Sequence, residues 1–592
     1  MCGIVGFLGR IDAKEVVLSG LEKLEYRGYD SAGIALVTNN VLRVFKDKGR
    51  VEHLRNLCDV DGKSSLGIGH TRWATHGIPN KINSHPHISN SKRFVIVHNG
   101  VIENYKKLKL ELLDDYEFYS ETDTEVIVNL IDYFSKEYDT STAILKTIAL
   151  LEGSYAMLII DSLENNQIYL AKNKTPLIIG KGDKGITVAS DVMPLYELAN
   201  EYISLEDKTF GIIKENNVYL YDLLGNVIGV DYKKLDINHE HYGKGEFEHF
   251  MLKEIYEQPS VIRKIIQEFF DIDNVNIDYD LIKTIKQCTK INLVASGTSM
   301  YASYLAKYYF EKLCGIPSEV FCASELVYST PLILDKPCFI FLSQSGETAD
   351  SIAVMKKIRE KKFPIITITN SMTSTMVGLS DYALNIFAGK EVAVASTKAY
   401  IAQVVVCAIL AKAISGKKTK LKNNLSRLAL VIEEILEQKI LIEDIAKKIK
   451  DSTSLFYIGR GLDYWACLEA ALKLKEISYI HTEAFSSGEL KHGTIALIDE
   501  NTPVIALCTQ EGTNSVVRSN LIEAKSRGAK TYVIAMESMS ESLDDLIIPN
   551  VAHYLSPIAS VVVCQLLAYY TAKLKGNDVD KPRNLAKSVT VE

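Results

Sequence analysis

A chain of 592 residues is too long for one hydrophobic core, so about three or four domains are expected. Hydrophobic residues make up 47% and charged residues 24%, the balance of a globular protein, and a net charge of −7 leaves no basic face for nucleic acid. Ten cysteines without a C-x-x-C pair or zinc spacing argue against a disulfide framework and against a metal centre; Cys338 and Cys407 sit in apolar runs and read as core filler, and only Cys2 stands apart.

In chain order, the start at Met1–Leu8 has no charged leader and too short an apolar run for a signal peptide. Residues 2–230 read as a strand-rich domain, with runs at 94–97, 156–160 and 211–213 separated by Gly, Asn and Asp turns, and helices at about 13–25 and 122–137. The polar stretch 231–250 is the expected linker, and 251–284 a helical lead-in. From about 285 short apolar strands alternate with helices, the rhythm of α/β units with parallel sheets. This half repeats itself: Gly297 and Gly461 each follow a strand and lie 164 positions apart, and Ser343 and Thr509 lie 166 apart. One domain at 285–420 and a second at 451–578 are therefore expected, joined by a helix over 421–450 and followed by a tail, 579–592. The greasy stretches 399–414 and 552–572 approach bilayer-spanning length, yet the first carries Gln403 and Lys412 and the second His553, Ser556, Pro557 and Gln565. Both read as buried helices, so no membrane partner is expected and the cytoplasm is the expected compartment.

Two groups of residues carry chemistry. In the first, removal of Met1 would leave Cys2 with a free α-amine, whose pKa near 8 suits a base for the thiol. Arg72 can clamp a carboxylate, Asn99 with Gly100 can donate to an oxyanion, and Asp123 can accept an ammonium. Taken singly, each has an ordinary alternative: a surface ion pair, a hairpin turn, a helix cap. Together, Cys2-Gly-Ile-Val-Gly, Tyr26-Arg-Gly-Tyr-Asp-Ser-Ala-Gly, His70-Thr-Arg-Trp-Ala-Thr-His-Gly, His85-Pro-His and His98-Asn-Gly-Val-Ile-Glu-Asn resemble class II glutamine amidotransferases over about the first 230 residues. The resemblance implies an N-terminal-nucleophile αββα sandwich in which Cys2 attacks the glutamine carboxamide and Asn99 and Gly100 hold the oxyanion. It also implies that Arg72, Trp73, Thr75, His76 and Asp123 bind glutamine.

The second group starts at Ser343-Gln-Ser-Gly-Glu-Thr348, a strand end, polar turn and helix start whose N–H groups suit a sugar phosphate; a serine-rich helix cap is the alternative. Glu469, Lys473 and Glu476 share one helical face, ordinarily a solvated stripe, and His492 is a candidate acid/base. The tail 580–592 looks frayed by default, although Leu585, Val589 and Val591 hint at docking. Lys253 to Pro259, Ser343 to Thr348, Val394-Ala-Ser-Thr-Lys398, Glu483 to Gly493 and Pro582 to Glu592 resemble the paired sugar isomerase (SIS) domains of the glutamine–fructose-6-phosphate aminotransferase (isomerizing) family, and this resemblance covers essentially the whole chain.

That resemblance implies two flavodoxin-like, doubly wound α/β domains and a reaction of L-glutamine with fructose 6-phosphate to give glucosamine 6-phosphate, the entry to amino-sugar synthesis. It assigns ring opening to His492, imine formation to Lys587, proton transfer between C1 and C2 to Glu476, and support of Glu476 to Lys473. Thr298, Ser299, Ser343, Gln344, Ser345, Thr348, Val394, Ser396 and Ala586 become sugar or phosphate contacts. No cofactor and no metal are implied, and a homodimer is. Ser296, where relatives often carry Cys, and Phe247-Glu-His-Phe depart from the family pattern without touching a catalytic atom. Another class II amidotransferase, or a regulator whose SIS domains only bind sugar phosphate, remains the alternative; neither a diphosphoribosyl loop nor an ATP-splitting loop is present to support the former.

Overall fold

The computed structural model describes residues 2–25, 28–39, 41–59, 62–73, 77–235, 243–272, 274–329, 333, 335–417 and 419–589. The chain divides into two compact units, one built from residues up to 235 and the other from 243–587.

The first unit follows from period-two alternation. Along the strand Gly3–Gly9, Ile4 points into a core shared by two sheets, while Val5 and Phe7 point the other way, onto the helix Ala13–Leu24. Along Phe94–Ile102, Val95 and Val97 enter the shared core, while Phe94 and Ile96 pack under the helices Asp123–Phe134 and Thr140–Leu150. An eight-stranded and a seven-stranded antiparallel sheet thus lie face to face with helices outside each, the αββα arrangement expected. Each fully buried aliphatic side chain contributes about 1.5–3 kcal/mol, so both faces of these strands are stabilising. Three helices were not anticipated: Val51–Leu57, Tyr105–Leu112 and Thr140–Leu150. The last is rich in β-branched residues, and Asp139 caps it by accepting from Thr142 N. Within the expected linker, Lys233–Lys234 forms a short strand beside Glu201–Ser204, and residues 236–242 lie outside the described residues.

The second unit holds two five-stranded parallel sheets of identical topology. The first runs Ser318–Cys322, Lys290–Ala295, Pro337–Ser343, Ile365–Thr369, Tyr382–Asn385; the second runs His481–Ser486, Ser454–Gly459, Pro503–Cys508, Lys530–Met536, Leu546–Ile548. Each is the doubly wound order in which the chain reverses direction beside its first strand, opening a crevice at the strands' carboxyl ends. The greasy stretches become the helices Lys398–Ser415 and Ser556–Leu574, buried in the large core that both copies share, which is why they are apolar on all sides. The 421–450 segment is two helices, Leu421–Glu437 and Lys439–Ile449, broken at Gln438. All ten cysteines are free.

Candidate functional site

In the first unit, strand pairing sets Gly3 opposite Thr71, which brings Cys2 alongside Arg72 and Trp73. The Trp73 amide donates to Cys2 Sγ at 3.2 Å, and the thiol approaches Trp73 O at 3.5 Å. From the other sheet Asn99 Nδ2 donates to Cys2 O at 3.0 Å. The orientation of the Asn99 amide is not arbitrary: His70 Nε2 lies 3.0 Å from His98 O and 3.1 Å from Asn99 Oδ1, two acceptors, so that nitrogen carries the proton and Asn99 turns its NH2 toward Cys2. Gly100 has φ +131°, and a Cβ there would sit 2.0 Å from Ser154 O, so no other residue fits. Burial pushes the Cys2 thiol up, and the Trp73 amide and the Arg72 guanidinium only partly offset it. A protonated thiol of this kind needs a base.

Arg72 is buried and donates to Gly77 O at 3.3 Å; burial lowers its affinity for a proton against the charges of Cys2, Asp30, Asp123 and Glu121 nearby. Asp123 opens its helix and accepts from Ile102 N at 2.8 Å, locking the end of the Asn99–Gly100 strand. Trp73 meets Tyr29 edge-on at 6.3 Å. Thr75 and His76 lie outside the described residues.

Sequence reasoning missed a buried imidazole cluster behind this site. His70 stacks on His85 at 4.1 Å, His85 meets His87 edge-on at 4.8 Å, and His98 N donates to His85 Nδ1 at 3.3 Å. Burial holds His70 neutral with a pKa down to about 3 and keeps His85 and His87 well below their usual range. The four histidines were visible as motif letters, but their stacking was not.

In the second unit the strands Lys290–Ala295 and Pro337–Ser343 are neighbours, so their carboxyl-end loops share the first crevice. One loop leads into the helix Gly297–Tyr309 with Thr298 and Ser299 in its first turn. The other, Ser343 to Thr348, folds on itself: Gly346 N donates to Ser343 Oγ at 3.0 Å, Ser343 and Thr348 hydroxyls lie 3.0 Å apart, and Glu347 N donates to Ser345 Oγ at 3.2 Å. Gln344 O accepts from Asn370 N, which anchors the loop. Gly346 has φ +66°, and a Cβ would come 2.1 Å from Ser374 Oγ.

Against Thr298 lies the helix Leu462–Ser478. Lys473, 1% exposed, donates to Thr298 Oγ1 at 3.0 Å and pairs with Glu476 at 2.7 Å and Glu469 at 3.5 Å. The ordinary reading of this stripe as solvated is wrong here, because packing on the Gly297–Tyr309 helix buries it. Burial opposes the Lys473 charge, but Glu469 and Glu476 outweigh it and raise its pKa; burial raises Glu469 to about 8 despite Lys473.

The tail docks rather than frays as far as Lys587. Asp580 accepts Phe250 N at 2.9 Å and Met251 N at 2.8 Å, its carbonyl accepts Val394 N, and Arg583 lies over the Tyr479 ring at 4.2 Å. Lys587, with a side chain 3% exposed, pairs with the buried Glu391 at 2.5 Å, and Ser396 Oγ donates to the same carboxylate at 2.8 Å. Glu391 also acts on Lys473 electrostatically, so the two clusters adjoin. Ala586 flanks Lys587, half-buried. His492 is not gathered in: it ends a short 3-10 turn, its side chain is exposed, and it pairs with none of Lys587, Glu391, Lys473 or Glu476. Among the described residues no group of His, Cys, Asp and Glu is arranged to hold a metal ion.

Comparison with known proteins agrees with this division. The family model for the glutamine amidotransferase domain matches residues 70–197, and that for the SIS domain matches 284–413 and 448–574. The glutamine–fructose-6-phosphate aminotransferases (isomerizing) of Staphylococcus aureus (strain Mu50) and Staphylococcus epidermidis (strain RP62A) are 48% and 49% identical over 601 aligned residues, covering 100% of this chain and 100% of each relative. The solved C-terminal domain of glucosamine-fructose-6-phosphate aminotransferase from Francisella tularensis matches with a TM-score of 0.55 at 34% identity, covering 57% of this chain and 99% of that one. With an αββα amidotransferase unit, two SIS sheets and full-length identity near one half, the chain belongs to the glutamine–fructose-6-phosphate aminotransferase (isomerizing) family.

Proposed function

We propose that this enzyme transfers the amide nitrogen of L-glutamine to D-fructose 6-phosphate, yielding D-glucosamine 6-phosphate and L-glutamate. Once Met1 is removed, the Cys2 amine takes the thiol proton and Sγ attacks the carboxamide carbon. Asn99 Nδ2 and Gly100 N–H stabilise the oxyanion, ammonia leaves, and water releases glutamate from the thioester. Arg72 and Asp123 hold the carboxylate and ammonium of glutamine, and Trp73, Thr75 and His76 also bind it.

In the second unit the loop Ser343, Gln344, Ser345 and Thr348 takes the phosphate, and Thr298, Ser299, Val394, Ser396 and Ala586 line the sugar. His492 protonates the ring oxygen as the sugar opens, Lys587 condenses with the C2 ketone, and Glu476, held by Lys473, moves the proton between C1 and C2. The observation that carries this reading is the burial of Lys587 against Glu391: a lysine shielded from water is what imine chemistry requires. A soluble homodimer in the cytoplasm is part of the proposal. Incubation with amide-15N glutamine and fructose 6-phosphate, followed by mass spectrometry, should place the label on C2 of the amino sugar; label recovered only as free ammonia defeats it.

A further inference from the structure

The string Lys253 to Pro259 has no role in the reaction as described, yet it builds the floor beneath Lys587. Glu254, from the helix Phe250–Tyr256, turns its carboxylate inward and accepts from Val392 N and from Ala393 N, the latter at 3.3 Å. Glu257 pairs with the buried Lys398 at 2.6 Å, and Gln258 donates to Gln565, which in turn donates to Thr397 O. All three side chains tie the 391–398 segment in place, and that segment presents Glu391. Glu391 itself is saturated: Oε1 accepts from Thr397 N at 2.9 Å and Ala399 N at 3.0 Å, and Oε2 accepts from Ser396 Oγ and from Lys587.

An ammonium cannot attack a ketone, and Glu391 Oε2 is the acceptor that Lys587 Nζ touches. We propose that Glu391 is the acid/base of imine formation at Lys587. Glu391 takes one proton from the ammonium, and the freed amine forms the Nζ–C2 bond as the carbonyl π pair moves to oxygen. That oxygen takes a second nitrogen proton, and Glu391 then returns its own proton as the C2–O bond breaks, releasing water and leaving the protonated imine. No proton is gained or lost overall. The groups facing this carboxylate are Lys587 from the tail, Glu254 from the Phe250–Tyr256 helix, Lys398 near Glu254, and Lys473 from the Leu462–Ser478 helix. Glu254 Oε2 is buried without a partner, and burial with the Glu391 charge lifts its pKa to about 8, so Glu391 is the carboxylate that carries the negative charge.

This inference rests on the reading of Lys587 as imine former, and the test separates the two. Full-length wild type, Glu391→Gln and Glu391→Asp are incubated with fructose 6-phosphate and cyanoborohydride across pH 6 to 9, and the reduced adduct is mapped by mass spectrometry. Wild type should be labelled at Lys587; an unlabelled Lys587 sinks the Lys587 reading and the inference with it. With wild type labelled, Glu391→Gln should trap about 100-fold more slowly at neutral pH, recover as pH rises, and bind fructose 6-phosphate within about threefold of wild type. Trapping at the wild-type rate at every pH overturns the role of Glu391, as does a loss of trapping accounted for by lost binding. If the glutamine variant does not fold, Glu391→Asp decides: its withdrawn carboxylate should slow trapping about tenfold with binding retained, and an undiminished rate refutes the proposal.

Discussion

Replacing Lys473 by methionine keeps the buried stem and removes the cation between Glu469 and Glu476. Removing one partner of a buried ion cluster costs about 3–5 kcal/mol, because the remaining charges stay buried without compensation. At about 2.1 cal/mol/K per residue, a unit of roughly 350 residues has an unfolding entropy near 0.7 kcal/mol/K, so a loss of about 4 kcal/mol lowers its Tm by roughly 5 °C. Glu469 sits at about 8 even with Lys473 present, so near neutral pH it holds its proton in wild type and variant alike. The sign follows: a carboxyl with a raised folded pKa binds more protons folded than unfolded, so its cost to stability grows from pH 4.5 to about pH 8 in both proteins and shrinks as pH falls. Scanning fluorimetry at pH 7.5 should show a Tm deficit of roughly 5 °C against wild type. Synthesis of amino sugar should fall by about 100-fold or more while glutamine hydrolysis persists. A Tm within about 1 °C of wild type at pH 7.5, with synthesis intact, would show that this cluster is not energetically coupled as described.

Cys2→Ala, or a chain that retains Met1, should lose glutamine hydrolysis while the Tm of the second unit stays unchanged; turnover in either form would remove the amine-as-base argument. Gly100→Ala should cut glutaminase kcat by about 100-fold, since the added methyl meets Ser154 O at 2.0 Å and displaces an oxyanion donor; steady-state kinetics with KM and kcat resolved will show it. Neutral burial of His70 makes the first unit acid-sensitive: its folded pKa of about 3 lies below 6.5, so the unfolded chain binds the extra proton and stability is lost as pH falls through that window. By pH 5 this amounts to about 2 kcal/mol from His70 alone. Hydrogen exchange in the Gly3–Gly9 and Leu66–Arg72 strands, corrected for intrinsic rates, should accelerate between pH 7 and 5, and unchanged protection would contradict it.

Much of the architecture is local enough to be read along the chain. The apolar run 94–97 reads as a strand and the strand–helix rhythm after 285 predicts a duplicated parallel fold, because these are local patterns; the αββα sandwich was implied by the family motifs. The motifs around Cys2, Asn99, Ser343 and Lys587 are equally legible, since each lies in one short string. What the tertiary structure decided is which charges are buried together. Glu469, Lys473 and Glu476 look like a solvated stripe until the helix bearing Thr298, 171 positions from Glu469, packs on them. Glu391 sits 196 positions from Lys587, and nothing in either neighbourhood names the other. The stacking of His70 on His85 and the neutral imidazoles behind Asn99 arise the same way. Desolvation and ion pairing depend on distances through space, and these the chain acquires only when it is folded.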